Sequence, residues 1–297
     1  MKSDPVFLLG AGRSGTTLLY KILCLHPDVA YISNYHTVAP RWAPTGLLIR
    51  LTACFPALKR KAWFDDRGIA NSRGKRPLVK RLVPGPVEGE ALYGRCGLRP
   101  VAAPKAAGGA GNATCLRREF AHVAALSGAQ LFLTKRTANN QRLPWLKEVF
   151  PNARFIHLIR DGRAVAYSLL RVRWWPRHRT WWSGATPQEL VDAGSDPYAV
   201  SARNWVEDVQ AVRAGLRRVP AGQLLELRYE DLMADPLGQV RRITEFLGLQ
   251  FTPCFEAAVR GLQLRERPVA WKRHLKPDEV QTVTREQRTL LLELGYV

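Results

Sequence analysis

The chain has 297 residues, 46% of them hydrophobic, enough for one large domain with a proper core, which excludes a mainly disordered protein. Lysine and arginine number 45 against 25 acidic residues, a formal charge of +20, so the expected partner is anionic: a nucleotide, a nucleic acid, a phosphorylated or sulfated small molecule, or an acidic lipid surface. No apolar run approaches the roughly 18 to 20 residues that span a bilayer, because the best stretch, 46–58, is interrupted by Arg50 and Pro56.

Val6 to Leu9 runs straight into a glycine turn with no small-residue cleavage site, so it reads as a first core strand and not a secretion signal. An apolar periodicity through Leu18, Leu19, Ile22 and Leu23 predicts a helix that His26-Pro27-Asp28 stops. Residues 41–82 hold eleven basic side chains against Asp65 and Asp66 without a long periodic segment, and 100–114 is Ala/Gly/Pro-rich. Both read as excursions, the second expected to be mobile. A second strand, Leu131 to Lys135, leads into a helix over 143–149, and a third, Arg154 to Ile159, turns at Arg160-Asp161-Gly162 into a helix over 164–170. Residues 173–197 form a further excursion, with four tryptophans (Trp174, Trp175, Trp181, Trp182) among arginines. A strand over 224–229 and a helix over 237–247 follow. Short apolar strands alternating with helices predict an α/β fold of three layers, a central parallel sheet flanked by helices.

Five cysteines (Cys24, Cys54, Cys96, Cys115, Cys254) with no CxxC spacing argue against a zinc site or a disulfide framework and point to a reduced, cytoplasmic setting. The sharpest chemical feature is Gly10-Ala11-Gly12-Arg13-Ser14-Gly15-Thr16-Thr17 between the first strand and first helix. There the loop amides and the helix N-terminus converge on one point, with Arg13 and the hydroxyls of Ser14, Thr16 and Thr17 as further donors, a setting for an oxyanion. Gly10 and Gly15 have the spacing of a nucleotide P-loop, but Thr16 replaces the lysine that handles ATP phosphates.

This loop resembles the 5′-phosphosulfate loop of the PAPS-dependent sulfotransferases, specifically the bacterial and protein-tyrosine branch that uses Arg-Ser-Gly-Thr-Thr. Phe155 to Arg163, with Ser168 eight residues after Arg160, is similar to the family's 3′-phosphate segment; eight residues is a little over two helical turns, so both side chains can share one phosphate. Leu227-Arg228-Tyr229-Glu230-Asp231-Leu232 resembles the late strand whose tyrosine lies against the adenine, and Trp271-Lys272-Arg273-His274 the basic loop that closes over the donor. The resemblance implies a single P-loop-like domain over 1–297, with acceptor-side excursions at about 36–128 and 173–197. It implies PAPS as co-substrate, PAP as product and no metal, with donor contacts from Arg13, Ser14, Gly15, Thr16, Thr17, Arg160, Ser168, Tyr229, Lys272 and Arg273.

Catalysis is expected from Arg13 and from Lys135, the counterpart of the family lysine near the transferring sulfate, with Arg136 as helper. Where relatives place a glutamate there is no acid between Asp28 and Asp65. His36 is therefore the expected base, its ordinary pKa suiting proton removal, with Glu88 and Glu90 in reserve. The acceptor is a hydroxyl, less readily an amine, of a small-molecule, glycan or lipid-linked compound. The Trp/Arg segment is open to three readings: a lid over that acceptor, a peripheral membrane patch formed by Trp174, Trp175, Trp181 and Trp182, or core. The rivals are a P-loop small-molecule kinase, which wants a lysine at position 16, and a basic nucleic-acid-binding protein, for which no recognised signature is present.

Overall fold

The computed structural model describes residues 4–38, 44–65, 82–99, 111–264 and 270–297. The elements in chain order are β1 (Val6–Leu9), α1 (Thr16–Leu23), β2 (Val29–Tyr31), α2 (Asn34–Val38), α3 (Pro44–Ala53), α4 (Pro56–Trp63), α5 (Glu90–Arg95), α6 (Ala113–Ser127) and β3 (Leu131–Lys135). They continue with α7 (Leu143–Val149), β4 (Arg154–Ile159), α8 (Gly162–Leu170), α9 (Pro187–Asp192), α10 (Pro197–Leu216) and β5 (Leu224–Arg228). α11 (Tyr229–Ala234), α12 (Pro236–Leu247), α13 (Pro253–Arg260), α14 (Ala270–His274) and α15 (Pro277–Glu293) complete the described chain.

The five strands form one parallel sheet in the order β2-β3-β1-β4-β5. Its near-continuous apolar runs are explained by burial on both faces. In β1, Val6 and Leu8 point into one core and Phe7 and Leu9 into the other, the alternation that a pleated strand imposes. The first core is closed by Leu19, Ile22 and Leu23 of α1 and by Val240, Ile243 and Leu247 of α12. The second is closed by Phe120 of α6 and Leu146 of α7, with Phe120 stacked on Phe150 at 5.5 Å. A third apolar cluster lies beyond the sheet, where Val165 and Leu169 of α8 meet Trp205 and Val209 of α10 and Leu290 of α15.

The expected three-layer α/β architecture is present, and four features depart from the sequence reading. β2 and the long helix α10 were not anticipated. Residues 41–82 contain α3 and α4, each started by a proline that suits a first helical position. Residues 173–197 are ordered by a short 3₁₀ turn at Trp175–Arg177 and by α9. Finally, Cys96 and Cys115 form a disulfide between the end of α5 and the first turn of α6. This corrects the expectation of unpaired thiols: the fold brings the two Cα atoms to 5.5 Å, within bridging range, and the cysteine pattern no longer argues for a reducing compartment. The expectation for 100–114 lies largely outside the described residues. Among the described residues no helix is long and apolar enough to cross a membrane.

Candidate functional site

Parallel sheets gather ligand-binding groups at the carboxyl ends of their strands. Here β1 ends in the Gly10–Gly15 loop, β3 in Lys135, β4 at Arg160 and β5 at Tyr229.

The loop is fixed by its backbone. Gly10 and Gly15 have φ of 146° and 90°, and a Cβ on either would stand 2.5 Å from the Leu158 carbonyl oxygen or from the Tyr229 ring. Both positions therefore require glycine, for conformation and for space. Arg13 takes φ 72°, a left-handed strain that side chains with a Cβ accept only where surroundings enforce it. Asn140 supplies part of that enforcement, donating to the Gly10 carbonyl at 3.1 Å and accepting the Gly10 N–H at 3.4 Å. The buried Asp208 accepts from the Gly12 backbone, from Gln141 Nε2 at 3.2 Å and from Trp181 Nε1 at 3.0 Å. Burial pushes the Asp208 carboxyl up to about 6, against these hydrogen bonds. Sequence reasoning missed both residues, since each acts through a contact more than 100 residues away in the chain or on an unanticipated helix.

Arg13 and Arg160 come together over this loop. The Arg160 guanidinium donates to the Arg13 carbonyl at 3.0 Å and lies 4.3 Å over the Tyr229 ring, while Arg13 Nε donates to Ser168 Oγ at 3.0 Å. Arg160 and Ser168 are thus joined through Arg13. Partial desolvation, then the Arg160 charge, lowers the Arg13 pKa. Among the described residues neither guanidinium has an acidic partner; Asp161, the nearest acid in sequence, is engaged by Arg163 at 3.0 Å and caps α8. Ser14 Oγ is buried without a hydrogen-bond partner, and Thr16 is buried beside it while Thr17 is exposed. Two unneutralised cations, an orphaned hydroxyl and the amino end of α1 fit a multiply charged phosphate ligand. Lys272 and Arg273 are exposed on α14, which reaches α8 through His274 stacked on Tyr167 at 5.9 Å.

On the other side of β1, Lys135 is buried and its Nζ lies 2.5 Å from Glu88 Oε1. Glu88 Oε2 also accepts the Thr137 N–H at 3.3 Å. The segment holding Glu88 runs antiparallel to the end of β2, with Val87 N–H bonded to the Ile32 carbonyl at 2.9 Å. Burial pushes Glu88 up, but the Lys135 charge and hydrogen bond outweigh it and hold the carboxyl below its ordinary range. Arg136 is occupied elsewhere: it is fully buried, grips Glu90 with two bonds of 2.7 and 2.6 Å and covers the Tyr93 ring at 4.6 Å. That gives Arg136 and Glu90 structural work.

His36 is surrounded by different groups. Its Nδ1 accepts the Ser33 N–H at 3.0 Å, its Nε2 is buried without a partner, and the charges it feels are those of His122, Arg95 and Glu119. Burial, reinforced by His122 and Arg95, lowers the imidazole to about 4. The charges around His36 belong to α5 and α6, whereas Glu88 is bonded to Lys135, so position and not basicity favours Glu88 over His36 as the group beside Lys135.

The four tryptophans do not share a face. Trp175 is 3% exposed and packs in the third apolar cluster. Trp181 and Trp182 are half-buried, with indole N–H groups bonded to Asp208 and, at 3.2 Å, to Asn204 of α10. Only Trp174 among them is largely exposed. Three of the four are thus turned inward, Trp175 into the core and Trp181 and Trp182 onto α10, so the four share no exposed face.

A model of the sulfotransferase family matches residues 5–253. The chain belongs to the sulfotransferase family. Among its relatives, the omega-hydroxy-beta-dihydromenaquinone-9 sulfotransferase of Mycobacterium tuberculosis is 26% identical over 86% of this chain and 66% of its own length. Human carbohydrate sulfotransferase 5 is 26% identical over 86% of this chain and 64% of its own. The chain spans 66% and 64% of the length of those two relatives. Its fold is like that of sulfotransferase STF9 from Mycobacterium avium, with a TM-score of 0.62 at 20% identity over 98% of this chain and 76% of that one.

Proposed function

We propose that this chain moves a sulfuryl group from PAPS to an acceptor hydroxyl by in-line transfer, releasing PAP. The observation that carries the reading is the Arg13–Arg160 pair, two cations without an acidic partner among the described residues, held through Ser168 and a carbonyl over a glycine loop whose Ser14 hydroxyl is unpaired. Like charges held this close call for an anion between them. The donor supplies an activated sulfur whose bond to a phosphate oxygen breaks as the acceptor oxygen bonds to it.

Each role then follows from position. The loop amides, Arg13, Ser14 and Thr16 bind the 5′ end of the donor and stabilise the charge that develops on its departing phosphate oxygen. Arg160 and Ser168 hold the 3′-phosphate, Tyr229 orients Arg160, and Lys272 and Arg273 lie over the outer side. Lys135 stabilises the transferring group. Glu88, ionised and fixed beside Lys135 at the carboxyl edge of the sheet, takes the hydroxyl proton in place of His36. The acceptor side is formed by the segments about 36–128 and 173–197 of a single domain.

Thermal-shift titration tests the donor assignment, because a ligand that binds only the folded chain stabilises it. PAP should raise the melting temperature without a metal. Stabilisation by ATP with Mg²⁺ and none by PAP would instead favour a P-loop kinase.

A further inference from the structure

A shallow, open groove of about 540 Å³ lies beyond α8, lined by Arg173, Trp174, Arg177 and His178. It lies within the acceptor-side segment 173–197, and none of its four residues has yet been given a role. We propose that this groove is the acceptor subsite for an acidic sugar ring, with the sugar face on Trp174 and its carboxylate or sulfate between Arg173 and Arg177. The assignment rests on the donor reading above and names the acceptor class for it.

Three observations carry it. First, the two arginines, four residues apart, are exposed, and among the described residues their side chains make no hydrogen bond or ion pair. Their neighbours in the same segment are all engaged: Arg171 lies 5.4 Å over Tyr167, and Arg179 pairs with Glu189 at 3.6 Å. Two free guanidiniums in one groove suit an anion with paired oxygens.

Second, the aromatic surface is braced. Trp174 is 47% exposed, yet its ring meets Trp175 edge-on at 6.2 Å and His178 edge-on at 5.3 Å. Trp175 is anchored in the core, and His178 stacks on it at 6.1 Å. A rigid indole offers contact area at low entropic cost to a flat, partly apolar face. Desolvation against these rings lowers the His178 pKa, so at neutral pH it adds a polar ring and not a third charge.

Third, the groove is fastened to the donor loop. Its segment leaves α8 at Arg171, with Val172 N–H bonded to the Leu169 carbonyl at 3.0 Å, and α8 carries Ser168. At its other end Trp181 is bonded to Asp208, which also takes the Gly12 N–H of the loop. A lipid tail would want an apolar lining, whereas three of the four residues here are cationic or polar. A sugar offers the hydroxyls that sulfuryl transfer needs together with a face for stacking.

Isothermal titration at saturating PAP and constant ionic strength provides the test, with a glucuronate-containing disaccharide, its neutral diacetylchitobiose counterpart and sodium sulfate as probes. The acidic disaccharide should bind and the other two should not. The double variant Arg173→Ala/Arg177→Ala should weaken that binding at least tenfold, and Trp174→Ala several-fold, with PAP binding unchanged in both. Equal binding of the neutral disaccharide or of sulfate alone overturns the assignment, as does binding that survives the double variant. If PAP binds and the acidic disaccharide does not, the groove assignment fails and the donor reading stands; if PAP itself does not bind, the donor reading fails.

Discussion

Two arginine-bearing stretches flank α8, and the fold treats them in opposite ways. Arg13 and Arg160 are tied down before any ligand arrives, by Ser168, a backbone carbonyl and the Tyr229 ring. Arg173 and Arg177 are left free beside a braced indole. The first arrangement has paid its ordering cost in the fold and suits a ligand of fixed shape. The second keeps rotamer freedom and suits a variable one. Pre-organisation lowers the entropic cost of binding, so the donor side should be intolerant of change and the acceptor side tolerant.

The most severe test of that contrast lies between the two sides. Glu88→Gln should lower turnover about 10²- to 10⁴-fold, the usual contribution of a positioned base, while PAP still shifts the melting temperature. Because the Glu88 pKa is depressed, the carboxylate is ionised above that value and is protonated only as pH falls through it. The acid limb of the wild-type pH profile should therefore lie below the ordinary carboxylate range of about 4.3. Turnover unchanged in Glu88→Gln would remove Glu88 as base; turnover abolished in His36→Asn with PAP binding intact would restore His36.

Arg160→Ala should come next, weakening PAP about 30-fold. That corresponds to loss of a charge-assisted contact worth roughly 2 kcal/mol, read by calorimetry. A change below threefold would mean that Arg160 only braces the loop.

The smallest effect concerns the tie between the two sides. Asp208→Leu strips the acceptor from the Gly12 N–H and the Trp181 indole and should cost about 1 to 3 kcal/mol in denaturant unfolding. Asp208→Asn keeps an acceptor oxygen and removes a disfavoured buried charge, so it should match or exceed the wild type at pH 7.5. The sign follows from linkage: a carboxyl whose folded pKa is raised to about 6 contributes stability present below its unfolded value near 3.8 and lost as pH rises through 6. If Asn is as damaging as Leu, the anion itself is needed and the tie is electrostatic.

Much of the glycine-loop side of the site was legible because its information is local. A glycine loop after an apolar strand, followed by helix periodicity, specifies backbone geometry within about ten residues, and Gly10, Arg13, Gly15 and Arg160 all lie in such stretches. The acceptor side was read less well. The sequence left lid, patch and core open for the tryptophans; Trp175 went to the core and Trp181 and Trp182 to α10, whose side chains lie more than 20 residues on. Cys96 and Cys115 are 19 residues apart with no motif between them, and only the packing of α5 against α6 makes them neighbours.

By itself, then, the amino-acid sequence determined the layered α/β fold, four of its five strands and the glycine loop between β1 and α1, since strand alternation, glycine placement and helix starts are short-range physics. Tertiary structure decided which titratable groups meet. It set Glu88 against Lys135 and moved His36 into a buried niche, because a buried charge needs a partner that the chain delivers from 47 residues away. It also left Arg173 and Arg177 without a side-chain partner among the described residues while pairing their neighbours. No sequence pattern records that difference, since it depends on where Glu189 and Tyr167 fall once α8, α9 and α10 have packed.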